Sequence, residues 1–243
     1  MQEKTKNKYK IVGYITNAVL LIVAIIVSFS VISIESAETQ ETIAQFNGTI
    51  YAGNQQSNKV TLMINVYWGD EHVESMLDTL KEHNLKTTFF VGGSWVNENQ
   101  KLAKRILDDG HEMGSHGMTH KDHSKLDYNN NYKEIEACHK IVESQLNHSM
   151  TLFAPPSGYY NKYTTQAAEA LGYKTIMWTR DTIDWRDRNT NIIYSRAVSN
   201  MQGGDFVLMH PTKETAEALP LILKFMKNNN FLLTTVSDNI SEA

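Results

Sequence analysis

Two histidines four residues apart, His116 and His120, are the first residues in this chain whose spacing suits chemistry. On a helical turn such a pair faces one side, so both imidazoles can reach one metal ion. A carboxylate as third ligand would leave an open position for water. His123 stands three residues further on. The run Asp181-Thr182-Ile183-Asp184-Trp185 sets two carboxylates and an aromatic ring in one segment. Asp181 suits a helix cap or a turn equally well. Asp184 suits a partner for His210, because a carboxylate beside an imidazolium favours the charged form and so a better general acid. Pro155-Pro156-Ser157-Gly158 reads as a rigid turn whose backbone N–H groups can face a developing oxyanion. Each motif alone has a plainer reading as surface histidine, core histidine or simple turn.

Strand and helix signals alternate along the chain that must position these groups. Strands are expected at residues 60–67, 87–91, 151–154, 174–178, 205–210 and 231–235, with a short one at 48–51. Helical spacing marks residues 73–82, 100–109, 132–146, 164–171, 192–201 and 215–227, with Gly110 and Gly172 as stops. This order implies a parallel sheet, and short loops imply a closed or nearly closed β/α barrel. In such barrels chemistry sits at the C-terminal strand ends, where the motifs above fall.

The chain has 243 residues, 41% of them hydrophobic and 21% charged, which fits a globular protein of one or two domains. Its formal charge of -4 argues against a generic nucleic-acid binder. The lone Cys138 excludes an internal disulfide framework. Residues 11–34 carry no charge, and as a helix they would reach about 36 Å, enough to cross a bilayer. Lys4, Lys6, Lys8 and Lys10 precede the run, so residues 1–10 read as a cytoplasmic basic tail and 11–34 as a single-pass anchor. A cleaved signal peptide is the alternative. Residues 35–58 read as a polar linker, 59–238 as the extracellular domain and 239–243 as a tail. Beyond residue 34 the chain holds 19 basic and 26 acidic residues, a net of -7.

Taken in order, "TTFFVGG", "GHEMGSHGMTH", "FAPPSGYYN", "TRDTIDW" and "GGDFVLMHP" resemble the polysaccharide deacetylase family, the NodB-homology or carbohydrate esterase family 4 domain. The resemblance covers residues 60–237. It implies a distorted (β/α) barrel and a divalent metal, usually zinc, used to remove N-acetyl groups from chitin-like sugars or peptidoglycan. It implies metal ligands at His116 and His120 and an oxyanion donor at the Ser157 N–H. It also implies Asp184 tuning His210 as general acid, with Trp185 lining the pocket and Leu208 against the acetyl methyl.

The chain departs from the family pattern twice. Where the family has T-F-D-D-G, this chain has Ile64-Asn65-Val66, so Asn65 takes the base position and Val66 the ligand position. Where the family has the arginine that pairs with that base, this chain has Ala154. An arginine left there alone would be an unpaired buried charge, so the two losses belong together. Asp70 and Glu71 lie just beyond the strand and are expected to take over, Asp70 as metal ligand and either one as base. Their plainer reading is an acidic pair at a helix N-terminus. The run Trp68-Gly69-Asp70-Glu71 resembles a divergent, sporulation-associated branch of the family. The expectation is thus a membrane-anchored, metal-dependent deacetylase acting on cell-wall polysaccharide. The rival is a catalytically silent glycan-binding or assembly module of the same fold. The two differ in whether an acid reaches the His116–His120 pair.

Overall fold

A computed structural model describes residues 21–23, 45–46 and 48–241. The expected anchor at 11–34 and basic tail at 1–10 lie outside the described residues, apart from 21–23, which are helical. Among the described residues no helix is long and apolar enough to cross a membrane.

The folded unit runs from Ala44 to Ala243. Its strands are β1 (Gln45–Phe46), β2 (Thr49–Ile50), β3 (Lys59–Val66), β4 (Thr88–Val91) and β5 (Glu112–Ser115), then β6 (Leu152–Phe153), β7 (Lys174–Ile176), β8 (Arg180–Asp181), β9 (Phe206–Met209) and β10 (Leu232–Leu233). Its helices are α1 (Asp70–Glu82), α2 (Gly93–Glu98), α3 (Gln100–Asp108), α4 (Tyr128–Leu146), α5 (Lys162–Ala170), α6 (Thr190–Val198), α7 (Lys213–Asn228) and α8 (Val236–Ile240). The strands pair in the order β1-β2-β7-β6-β5-β4-β3-β9-β8, with β10 on the free end of β3. All pairings but β1–β2 are parallel. The sheet curls into a half-barrel with β1–β2 at one edge and β8 at the other. The expected barrel is therefore present in open form.

Both faces of β3 are buried, which is why it reads as a continuous apolar run. Val60, Leu62, Ile64 and Val66 join the outer core with Val73, Met76, Leu77 and Leu80 of α1. Met63 turns the other way, into an inner core with Phe90, Leu152, Ala154, Ile176, Phe206 and Val236. The period of two thus sends Val66 to the helices and Asn65 to the barrel interior.

Three elements differ from the sequence reading. Residues 44–58, expected as linker, belong to the folded unit, with β2 in register against β7. Arg180–Asp181, read as loop, form β8, with Asp181 opposite Leu208. Residues 236–240, which end on the expected tail, form α8 beneath the barrel. There Val236 N donates to Thr88 Oγ1 (2.8 Å) and Asn239 Nδ2 to Thr61 Oγ1 (3.1 Å). Short polar segments carry little periodicity, so only tertiary hydrogen bonds define them.

Near the bottom of the barrel His111 is buried against the Phe89 ring. Its Nδ1 accepts the Thr87 N–H (3.3 Å), so a second ring proton would break that bond. Burial, with Lys86 nearby, pushes the His111 pKa down to about 4. The unfolded chain takes up this proton near pH 6.5, whereas the folded chain resists until about 4. His111 therefore draws stability down as pH falls through that window. In urea titrations the protein is expected to lose stability from pH 7 to 4.5 more steeply than His111→Asn. Identical slopes would show that His111 is not the group responsible.

Candidate functional site

The site lies at the C-terminal strand ends. His116 follows β5, and its N–H is held by Val91 O (2.9 Å). Its Nδ1 donates to Ala154 O (2.8 Å), which leaves Nε2 as a free lone pair. Burial, then the neighbouring His120, hold the imidazole neutral, with its pKa well below the ordinary value. His120 sits at a positive φ of 54°, its ring 5.1 Å from that of His116 and 5.0 Å from Tyr67. Its pKa is also lowered, chiefly by burial. His123 is fully buried and belongs to no metal-binding group among the described residues. Its Nδ1 donates to Asn131 Oδ1 (2.7 Å), and its ring packs on Phe153.

Asp70 and Glu71 go elsewhere. Gly69 adopts φ 86°, and a Cβ there would lie 2.2 Å from Pro211 O, so glycine is required at this turn. The turn starts α1 immediately. Asp70 then accepts the indole N–H of Trp95 (2.6 Å), and exposed Glu71 pairs with His72 (3.2 Å). Both occupy the first turn of α1, where the helix dipole favours acids. Among the described residues no third His, Cys, Asp or Glu completes a metal-binding group with His116 and His120. The expected role of Asp70 as ligand, and of Asp70 or Glu71 as base, is thus corrected by the local backbone. The donor set offers two imidazoles, one with the backbone carbonyl behind it that a ligand histidine needs, and lacks the third group. It does not fit a complete metal site.

The opposite side of the site is built tightly. Asp184 is fully buried. Its Oδ1 accepts His210 Nδ1–H (2.8 Å), and its Oδ2 accepts the His210 backbone N–H (2.6 Å) and the Thr215 hydroxyl (2.7 Å). Thr215 lies in the first turn of α7, which Thr212 caps (3.0 Å). This arrangement fixes the His210 tautomer and leaves Nε2 for a ligand. Thr215 escaped the sequence reading, and the Thr212-x-x-Thr215 capping pattern is the signal that marks it.

Between these two sides runs a cavity of about 370 Å³, the size of a small-ligand pocket. It is lined by Asn65, Trp68, His120, Ser157, Tyr159, Trp178, Asp181, Trp185, Leu208 and His210. Ser157 (φ 55°) belongs to the Pro155–Gly158 turn, which packs on Trp178. Trp68 stacks on His210, with ring planes 9° apart. Trp185 stands 52% exposed at the rim. Asn65 is only 3% exposed, and its Oδ1 has no hydrogen-bond partner. The cavity therefore gathers Ser157, Trp185, Leu208 and His210 with His120 and leaves out Asp70 and Glu71. Sequence reasoning missed Tyr67, Tyr159 and Trp178 as members of the site.

Comparison with known proteins agrees with this geometry. The sequence pattern of the polysaccharide deacetylase family matches residues 52–176. The Bacillus subtilis (strain 168) protein YlxY is 38% identical over 79% of this chain and 60% of its own length. The peptidoglycan-N-acetylglucosamine deacetylase PgdA of Listeria monocytogenes is 38% identical over 69% of this chain and 35% of its own length. This chain thus spans 60% of the one relative and about a third of the other, less than two thirds of each. The crystal structure of BA3943, a CE4 family pseudoenzyme from Bacillus anthracis, superposes with a TM-score of 0.77 at 34% identity. That match covers 80% of this chain and 69% of the other. The half-barrel, the His116–His120 pair and the Asp184–His210 pair thus sit in a chain that belongs to the polysaccharide deacetylase family, hydrolases that act on C–N bonds.

Proposed function

We propose that this protein binds an amino-sugar glycan of the cell wall in the groove between His120 and His210, and that it does so without efficient acetyl hydrolysis. The observation that carries this reading is the strand end of β3. Asn65 occupies the interior there, and among the described residues no carboxylate completes a metal-binding group with His116 and His120. An amide cannot take a proton from water as a base does. The aromatic walls and the few polar groups between them are the make-up of a ligand groove. The BA3943 neighbour is itself described as a pseudoenzyme.

A divalent metal, zinc first among them given two neutral imidazoles, would be held by His116 and His120 alone and so weakly. Family deacetylases are generally metal-dependent, and such an ion supplies Lewis-acid polarisation. What the chain itself does is orient the sugar. Trp68 and Trp185 offer ring faces, Ser157 and His210 offer polar contacts, and Leu208 offers an apolar floor. Residues 11–34 would tether the domain to the outer face of the cell membrane, near that glycan.

The intact Asp184–His210 pair favours a second reading, residual hydrolysis with His210 as general acid. One experiment separates the two. The protein is stripped of metal, given zinc and desalted. Zinc content, tryptophan fluorescence with N-acetylglucosamine oligomers and peptidoglycan fragments, and acetate release are then read on one sample. The expected result is glycan-dependent fluorescence change, zinc well below one equivalent, and acetate at background. Stoichiometric zinc with zinc-dependent acetate release would establish the second reading instead.

A further inference from the structure

Two polar groups of the groove, the Asp181 carboxylate and the Asn65 amide oxygen, are acceptors short of donors, and their arrangement selects one form of amino sugar. The strand registers fix the geometry. Met63, Leu208 and Asp181 form one rung across β3, β9 and β8. Asn65 and His210 follow one rung higher, beyond the Ile64–Met209 pair. Asp181 and Asn65 therefore both open into the cavity, with Leu208 as apolar floor.

Asp181 is half-buried, and its Oδ1 accepts the Ile183 N–H (2.8 Å). No second donor reaches it among the described residues, and no lysine or arginine lines the cavity. Arg196 gives its guanidinium to Thr182 O (3.1 Å) and to Asp187 (2.6 Å). Burial raises the Asp181 pKa, against the opposing pull of the Ile183 N–H, His210 and Arg196. Asn65 adds a nearly buried amide whose oxygen lacks a donor. Around these acceptors stand Trp68, Trp178, Trp185 and Tyr159. Arg188 and Arg186 already lie over the Trp68 and Trp185 rings, at 5.4 Å and 5.8 Å, so these faces attract cations.

An acetamide brings one N–H and a carbonyl oxygen, and the oxygen would meet another acceptor in Asp181. An ammonium brings three donors and a positive charge. We propose that the groove prefers a de-N-acetylated glucosaminyl residue. Its ammonium is bound by the Asp181 carboxylate and the Asn65 amide oxygen, and its ring lies against the tryptophan walls. The ligand is then the product of an N-deacetylation reaction on the glycan. This inference deepens the glycan-binding reading and rests on it.

The test is calorimetric titration of the full chain with two β-1,4-linked tetramers, one of glucosamine and one of N-acetylglucosamine, at a pH that keeps the free amine protonated. The glucosamine tetramer is expected to bind at least about tenfold more tightly, a difference near 1.4 kcal/mol. The preference is expected to shrink with added salt. Asp181→Asn is expected to abolish that preference, bringing the two tetramers to within about twofold of each other. Equal affinity, or preference for the acetylated tetramer, would overturn this inference and leave glycan binding standing. Binding of neither tetramer would overturn both. The wild-type comparison alone decides the preference if Asp181→Asn does not fold.

Discussion

Replacing Asp184 with alanine is expected to cost about 3–5 kcal/mol of folding stability, since three donors lose their acceptor at about 1–3 kcal/mol each when left unsatisfied. The side chain is fully buried and accepts three hydrogen bonds, two from His210 and one from Thr215. Alanine would leave three buried donors facing a void, and each unsatisfied group carries its own desolvation cost. Asp184→Asn should lie between the wild type and alanine. Its amide keeps one acceptor but presents N–H groups to atoms that are themselves donors. Urea unfolding of the two variants gives the comparison. A loss below about 1 kcal/mol for alanine would mean that the network is wet and exchangeable, contrary to its geometry. The same asparagine variant should change the His210 tautomer, which NMR of the imidazole nitrogens reads independently of stability.

The second large effect concerns the two positions at which the family pattern is broken. Ala154 is fully buried in the inner core with Met63, Phe90, Ile176 and Phe206. Ala154→Arg alone is expected to destabilise the domain by several kcal/mol, since a guanidinium there has no carboxylate to meet. Asn65→Asp alone should also destabilise, though less. The β3 strand end opens into the cavity, where water can reach the new charge. Together the two changes restore an acid and a base at the mouth of one half-barrel. The double variant is therefore expected to be more stable than the sum of the single losses by about 1–3 kcal/mol. Strict additivity in a double-mutant cycle would show that the two positions do not meet. The joint loss of acid and arginine would then need another cause.

These two regions also show where sequence suffices. The alternation of apolar strands and amphipathic helices dictates a parallel sheet, because parallel strands need helical crossovers. The residues at the strand ends could be listed before any coordinates existed, and Asn65 and Ala154 already announced an altered site. Asp184 beside His210 was legible as a chemical partnership because a buried acid and an imidazole at neighbouring strand ends satisfy each other.

The fate of Asp70 and Glu71 was not legible. Read linearly, they follow a strand that points at His116 and His120. In space, Gly69 turns left-handed against Pro211, α1 begins at once, and Asp70 meets the Trp95 indole instead. The side each β3 residue takes was not legible either: Val66 joins the helix-side core while Asn65 faces the cavity. The barrel edge at β8 and the closing helix α8 were likewise beyond sequence, since they are short polar segments defined by register and by bonds to distant residues. Sequence by itself determined which elements form and which chemical groups are available, because periodicity and residue type are local properties. Tertiary structure alone decided which acids reach the groove, because a single backbone turn redirects a side chain without changing its place in the chain.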